Sequence, residues 1–400
     1  MEEPLEEENQ QVMRVLQALK QASQDLHNKP TSRKDDSNSS ALKALLELEI
    51  EAENIFSNYP NLSTLYLHLS NLKTLVDKLQ KSQGHSIRSF LSRRVSNHEI
   101  SRVAGSIENE IQAWIDRESV VNLVKSLQGL DEEDEKVNLL TQFETRVSQG
   151  FDRDLQDLIL KAKVFSALES VLCNSNSSKR IREQSALAVG ALVGFNKAVF
   201  VGQVLMGRTI RSLISMASET SIRVLCSLIK SIRSPLVDDI ESNGEIPKII
   251  SFLSSEEISI RVQAMDCVLE IGYFGRKEAV EAMIEEGLIK KLVELQRSEL
   301  GGDLIDMGRF DEKENRGVCS EGIEIESKSK KESKERRFLE SHPFASCVAR
   351  FAVQLEVGEG LRQREKRAFK LEILRRVREA SLSDAEAATI VAEVLWGSSP

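Results

Sequence analysis

A chain of 400 residues, 40% hydrophobic and 29% charged, has enough apolar surface for a sizeable core and for two or three domains. Its net charge of −9 excludes whole-chain attraction to nucleic acid or anionic lipid, and its aromatic content of 5% excludes stacking platforms for single strands. The five cysteines (Cys173, Cys226, Cys267, Cys319 and Cys347) are scattered, with no C-x-x-C pair, and the chain opens on Met1-Glu2-Glu3 without a basic, apolar leader. That pattern points to reduced thiols in the cytoplasm or nucleus, with no signal peptide.

In chain order, Leu5 to His27 places Val12, Val15, Leu16, Leu19, Ala22 and Leu26 at helical spacing. Residues 28–40, rich in Ser, Asn, Lys and Asp around Pro30, read as a linker. Helical runs follow at Ala41 to Ser57, Pro60 to Lys81 and Ser96 to Gln128, the last opened by a Ser96/Glu99 capping pattern. These runs predict an N-terminal helical bundle over 1–128. Ile87 to Val95, a basic and apolar patch, reads as a loop between two of its helices. The acidic run from Asp131 starts a bridging helix within 129–154, since carboxylates suit the positive end of the helix dipole.

Beyond Leu155 a repeating grammar emerges. Gly207, Gly244 and Gly287 each end one helix-like run just before another begins, at intervals of 37 and 43 residues. Glycine fits such a turn because it takes the left-handed conformation without a Cβ clash. Helical repeats of armadillo or HEAT type have periods of roughly 40–47 residues. The runs Lys179 to Gly194 and Ile258 to Gly272 read as copies of one unit, with a shorter copy at Ser221 to Arg233. Within the first, Ala186 to Phe195 and then Ala198 to Gly207 are nearly all apolar, but Asn196 and Lys197 divide them. A membrane-spanning helix needs about 20 apolar residues, so buried repeat helices are expected instead.

Residues 298–341 break the fourth repeat with a charge-dense stretch, Glu324 to Arg337, and read as a disordered insertion in which Ser329 and Ser333 are candidate regulatory phosphosites. The helical pattern resumes in 342–400 with Pro343 to Glu356, then Leu361 to Ala380, then Asp384 to Trp396, entered through a Ser383/Glu386 capping pattern. The middle of these is strongly basic, carrying Arg362, Arg364, Lys366, Arg367, Lys370, Arg375, Arg376 and Arg378. It is expected to cap the array, with contact to an anionic membrane as the competing reading.

The run Ile181-Arg-Glu-Gln-Ser-Ala-Leu-Ala-Val-Gly-Ala-Leu-Val193, the short helix to Gly207 and Ile210-Arg-Ser-Leu-Ile214 resemble an armadillo repeat; 245–297 matches again. The resemblance implies an all-α fold: the bundle, then a short armadillo-like solenoid over 155–297. In peptide-binding armadillo proteins the third helix carries a Trp and, four residues on, an Asn that hold the ligand backbone. The matching positions here are Leu187 and Ala191 in one repeat and Asp266 and Glu270 in another, so capture of extended peptides through that pair is not implied. The acidic pair would instead favour a basic or helical partner. A bundle ahead of armadillo repeats is also similar in layout to plant U-box ubiquitin ligases, but no segment between Gln128 and Leu155 is long enough to hold a U-box.

The histidines (His27, His68, His85, His98 and His342) lack a nucleophile or metal-binding partner at useful spacing, and no phosphate-cradling glycine loop occurs. No enzyme, cofactor or metal is expected. The expected function is a protein-binding scaffold or adaptor, with plant signalling suggested by the layout. A membrane-associated regulator and a non-catalytic partner of a ubiquitin ligase are the alternatives.

Overall fold

The computed structural model describes residues 15–21, 23–24, 63–81, 87–129, 132–302 and 338–396. Those residues form helices and turns, with no strand among them. The chain divides into two compact units, residues 1–125 with 152–162 and residues 126–151 with 163–400.

The first unit is built around a long helix. Helical segment 15–21, α1 (Ser63–Lys81), α2 (Ile87–Gln128) and α4 (Arg153–Lys161) belong to it, α2 reaching into the second unit's range at its last residues. On α2, Ile100, Ala104, Ile107, Ile111 and Trp114 are buried at alternating steps of four and three residues, the spacing that keeps one stripe facing neighbouring helices. Val15, Leu16 and Leu19 of the first segment and Leu65, Leu69 and Leu72 of α1 are buried likewise. Polar pairs fix the register. Lys20 donates to Gln112, and the Gln24 amide donates to Glu108 at 2.7 Å, so the first segment runs antiparallel to α2. Thr64 donates to Glu110 at 2.7 Å, from another side of α2.

The loop expected at Ile87 to Val95 is helical, and α2 starts at Ile87 instead of Ser96. Neither Gly nor Pro interrupts 87–104, and a Ser-x-x-Glu pattern does not start a helix where the preceding residues continue it. The expectations for Ala41 to Ser57, the 28–40 linker and residues 303–337 lie outside the described residues.

The second unit is an all-α solenoid. α3 (Glu133–Ser148) opens it, with Glu133, Asp134 and Glu135 in its first turn. Then come α5 (Val164–Cys173) and α6 (Lys179–Phe195), followed by α7 (Lys197–Met206), α8 (Thr209–Met216) and α9 (Glu219–Ile232). The next triplet is α10 (Ser234–Ser242), α11 (Ile246–Ser251, extended by a 3-10 turn) and α12 (Ile258–Phe274); the last is α13 (Lys277–Glu285), α14 (Leu288–Arg297) and α15 (Cys347–Val357). Three helices per repeat, with third helices starting at Lys179, Glu219 and Ile258, define an armadillo-like unit against a two-helix one. The third helices pack in sequence, α3 on α6, α6 on α9, α9 on α12 and α12 on α15. α16 (Gln363–Ala380) and α17 (Asp384–Trp396) close the end, packing on α14 and α15 respectively.

Side chains between helices cap the starts of α6, α8 and α9. Ser178 accepts from the Ile181 amide at 3.3 Å to start α6, and Ser218 and Ser221 form a reciprocal capping box at α9. Gly244 (φ +67°) and Gly287 (φ +82°) take the expected left-handed conformation. Gly207 does not; it is extended at φ −92°, ψ −168°. Its glycine is required by space, because a Cβ there would run into the Glu169 carboxylate and the Gln203 carbonyl. Glu169 occupies that space to cap α8, accepting from the Arg208 amide (2.8 Å), the Thr209 amide (3.1 Å) and the buried Thr209 hydroxyl (2.8 Å).

In the fourth repeat the chain leaves after α14 and returns before α15. Two backbone hydrogen bonds join the departing and returning strands of chain, Phe344 N–H to Leu300 O (3.1 Å) and Ser346 N–H to Gly302 O (2.9 Å). Gly302, at φ +117°, also donates to Gln296 O at 2.9 Å. Beneath this clamp, buried Glu393 of α17 accepts from Gln296 of α14 at 2.9 Å and from the Ser346 hydroxyl. One carboxylate thus ties the end helix to both sides of the insertion point. Arg297 adds a two-pronged pair to Glu386, at 2.7 and 3.0 Å.

Candidate functional site

The third helices expose their polar side chains along the same sequence of packed elements. Between α3 and α6, Gln184 donates to Glu144 at 2.7 Å and Arg180 pairs with Asp134. Between α9 and α12, Lys230 lies 3.5 Å from Glu270. Asp266, one turn before Glu270, feels the positive charges of both Lys230 on α9 and Arg350 on α15. Cross-helix contacts of this kind join the polar side chains of α3 to α6 and of α9 to α12.

The residues singled out by sequence lie on these helices. Leu187 and Ala191 are half-buried on α6, a shallow apolar stretch bounded by Gln184. Asp266 and Glu270 are half-buried on α12. Burial raises the Asp266 carboxyl above its usual range, against the pull of Arg350 and Lys230. Partial burial works against the Lys230 ammonium, but Cys226, Glu270 and Asp266 outweigh it and raise its pKa. The acidic pair therefore has Lys230 of α9 paired with Glu270 on one side, and on the other the charge of Arg350 of α15, which acts on Asp266 while its guanidinium donates to the Pro343 carbonyl at 2.6 Å. Sequence reasoning missed the two cations because they are supplied by other repeats, and only helix stacking brings them in. Arg261 of α12 was also missed. Its guanidinium lies 5.7 Å from the centre of the Phe344 ring, and its buried Nε has no hydrogen-bond acceptor among the described residues. Ser329 and Ser333 lie outside the described residues.

The basic helix α16 is engaged within the chain. Lys366 donates to the Glu356 and Gly358 carbonyls at 2.9 and 2.8 Å, where it meets the negative end of α15. Lys370 pairs with Glu356 at 2.9 Å, and Arg375 and Arg376 pair with Glu372. Phe369, Ile373, Leu374 and Val377 are buried, so α16 covers the apolar end of the array with its inner face. No helix among the described residues is long and apolar enough to cross a membrane, and no cluster of three or more metal-ligating side chains occurs among them.

No protein-family model matches the chain, and no curated protein matches it. Among solved structures it is similar to a designed armadillo repeat protein, at 14% identity over 68% of this chain and 98% of that one, TM-score 0.41. It is similar to a second designed armadillo repeat protein, in complex with the peptide (KR)4, at 15% identity over 69% and 97%, TM-score 0.41. An engineered protein matches at 14% identity over 70% and 99%, TM-score 0.44. The fold stands on the helix order and packing within the chain itself.

Proposed function

We propose that the chain is a non-catalytic protein-binding scaffold whose partner lies along the third-helix face of α6, α9, α12 and α15. The observation that carries this reading is the cross-repeat set of charges, Lys230 paired with Glu270 and Asp266 under the charges of Lys230 and Arg350, on the same series of packed third helices as half-buried Leu187 and Ala191. Such a set of charges selects a partner by register, since a like-charge misalignment costs several kcal/mol. Asp266 supplies a half-buried carboxylate whose charge burial already disfavours, and a cationic or amide-rich segment of the partner satisfies it. The partner we infer presents a helix or a basic segment with acidic flanks.

On layout, the reading extends to an adaptor in plant signalling, acting in the cytoplasm or nucleus and related to U-box proteins without carrying the U-box. Lipid binding through α16 is the weaker reading, because Lys370, Arg375 and Arg376 pair with Glu356, Glu372 and Glu379 and its apolar face is buried against the array.

The test is charge reversal in the intact chain. Glu270→Lys with Asp266→Lys is compared with Arg378→Glu on α16 by affinity capture and quantitative mass spectrometry. The scaffold reading expects a partner set lost from the first variant and kept by the second. Capture unchanged in both variants, at unchanged helical circular dichroism, sinks the assignment to this face.

A further inference from the structure

The layer formed by α16 and α17 carries an apolar face that no described residue covers. Earlier third helices are covered by their successors, α6 by α9, α9 by α12 and α12 by α15, and α17 then packs on α15. On α17, Ile390, Glu393 and Val394 are buried toward the array, while Ala385, Ala388, Ala392, Leu395 and Trp396 fall on the opposite face. Leu395 is 52% exposed and Trp396 78%, whereas the other tryptophan, Trp114, is buried. Beyond Asp384 in the first turn, no charged residue lies on that face.

α16 adds cations beside it. Arg364, Leu371 and Arg378 recur at sevenfold spacing opposite buried Phe369, Ile373 and Val377, with Arg367 alongside, and Leu371 is 69% exposed. The acids Glu372 and Glu379 of α16 are taken by Arg375 and Arg376, and Arg364, Arg367 and Arg378 make no ion pair among the described residues. α16 and α17 pack on each other as well as on α14 and α15, so their outward faces border one surface.

We propose that this surface docks an acidic amphipathic helix of another protein, which brings carboxylates to Arg364, Arg367 and Arg378 and its apolar side to Leu371, Leu395 and Trp396. The occupant is a helix because it continues the stacking by which each layer of the array covers the one before. It is acidic because the exposed arginines lack counter-charges, and Trp with Arg is the pairing of side chains that most often anchors an interface. A second copy fits less well: a two-fold contact sets a patch against itself, and this patch is net positive. A membrane also fits less well, since the large apolar side chains of α17's outward face are confined to its last turn. The proposal does not rest on the reading given to the third-helix face.

The experiment titrates the intact chain with a labelled amphipathic peptide carrying leucine on one side and glutamate beside it, and with the same peptide carrying lysine for glutamate. Anisotropy reads affinity. Tryptophan emission reads the contact, because exposed Trp396 shifts to shorter wavelength when covered and buried Trp114 gives a constant background. The expected result is a blue shift with the glutamate peptide that disappears in Trp396→Phe, and binding about tenfold weaker for the lysine peptide. Leu395→Asp, and Arg364→Glu with Arg367→Glu, are exposed changes that should each weaken the glutamate peptide by a similar factor at unchanged helical circular dichroism. Glu270→Lys should bind it as the unaltered chain does. Equal binding of the two peptides, or affinity unchanged in Leu395→Asp, overturns the proposal. So does a Trp396 shift that appears only with phosphatidylserine vesicles, which assigns the face to a membrane, or only on raising the protein concentration, which assigns it to a second copy.

Discussion

Replacing Glu169 by Ala removes the acceptor for three donors at the start of α8, two of them on Thr209, a residue with no exposed surface. Hydrogen bonds to a charged group contribute about 1.5–3 kcal/mol net, and a buried donor left unsatisfied costs about 1–3 kcal/mol. The Arg208 amide is exposed and regains water, so the loss should come mainly from the two Thr209 donors: about 3 kcal/mol for Glu169→Ala. Glu169→Gln keeps an acceptor oxygen and should lose about 1 kcal/mol. Gly207→Ala drives a methyl into the same carboxylate and against the Gln203 carbonyl 2.7 Å away. The two sites are therefore coupled. The double substitution should cost less than the sum of the single ones, because removing the carboxylate leaves only the Gln203 clash. Native-state hydrogen exchange of the α8 and α9 amides is the suitable assay, since a repeat array need not unfold in one step. A Glu169→Ala loss below about 0.5 kcal/mol, or strict additivity in the double variant, would refute the capping account.

Other outcomes follow from the same contacts. Glu393→Ala strips the buried acceptor shared by Gln296 and Ser346 and should reduce protection in α15 and α17 by about 2–3 kcal/mol, with little change in α6, read by hydrogen exchange. Gly244→Ala and Gly287→Ala force a side chain into left-handed backbone and should each lower stability by about 1–2 kcal/mol in chemical denaturation, although neither Cβ meets another atom. Hydrogen bonds from Arg375, then Arg376, hold the Glu372 carboxyl down to about 2 from its ordinary 4.5. Because the folded value is depressed, the contribution of this cluster is complete above the unfolded value and is lost as the pH falls through about 2. A carboxyl titration of Glu372 followed by NMR, with its midpoint near 4.5, would contradict that.

The repeat was legible wherever its causes are local. Helix α17 spans the residues its Ser383/Glu386 pattern and Trp396 suggested, and the third helices α6 and α12 match the two similar runs within a residue or two. Turns were legible only where glycine signals them. Lys163, Ala217, Arg233 and Ser346 take positive φ at helix junctions without being glycine, and no residue type announced those corners. Gly207 was read as a turn glycine for the wrong reason: its need comes from Glu169, 38 positions earlier in the chain. The set of charges around the acidic pair was half legible. Asp266 and Glu270 stand one turn apart in the sequence, but Lys230 and Arg350 reach them only across packed helices. The clamp at Gly302 and Ser346 was hidden for the same reason, since nothing in the composition of either segment pairs it with the other.

The central claim is that one face of stacked third helices engages the partner, and site-specific photo-crosslinking in the intact chain tests it most directly. A photoreactive residue is placed in turn at Leu187, at Glu270 and at Met206, the last an exposed position on α7, outside the third helices. The account predicts the same partner adduct from Leu187 and Glu270 and none from Met206. Adducts of equal yield at all three positions, or from Met206 alone, would contradict it.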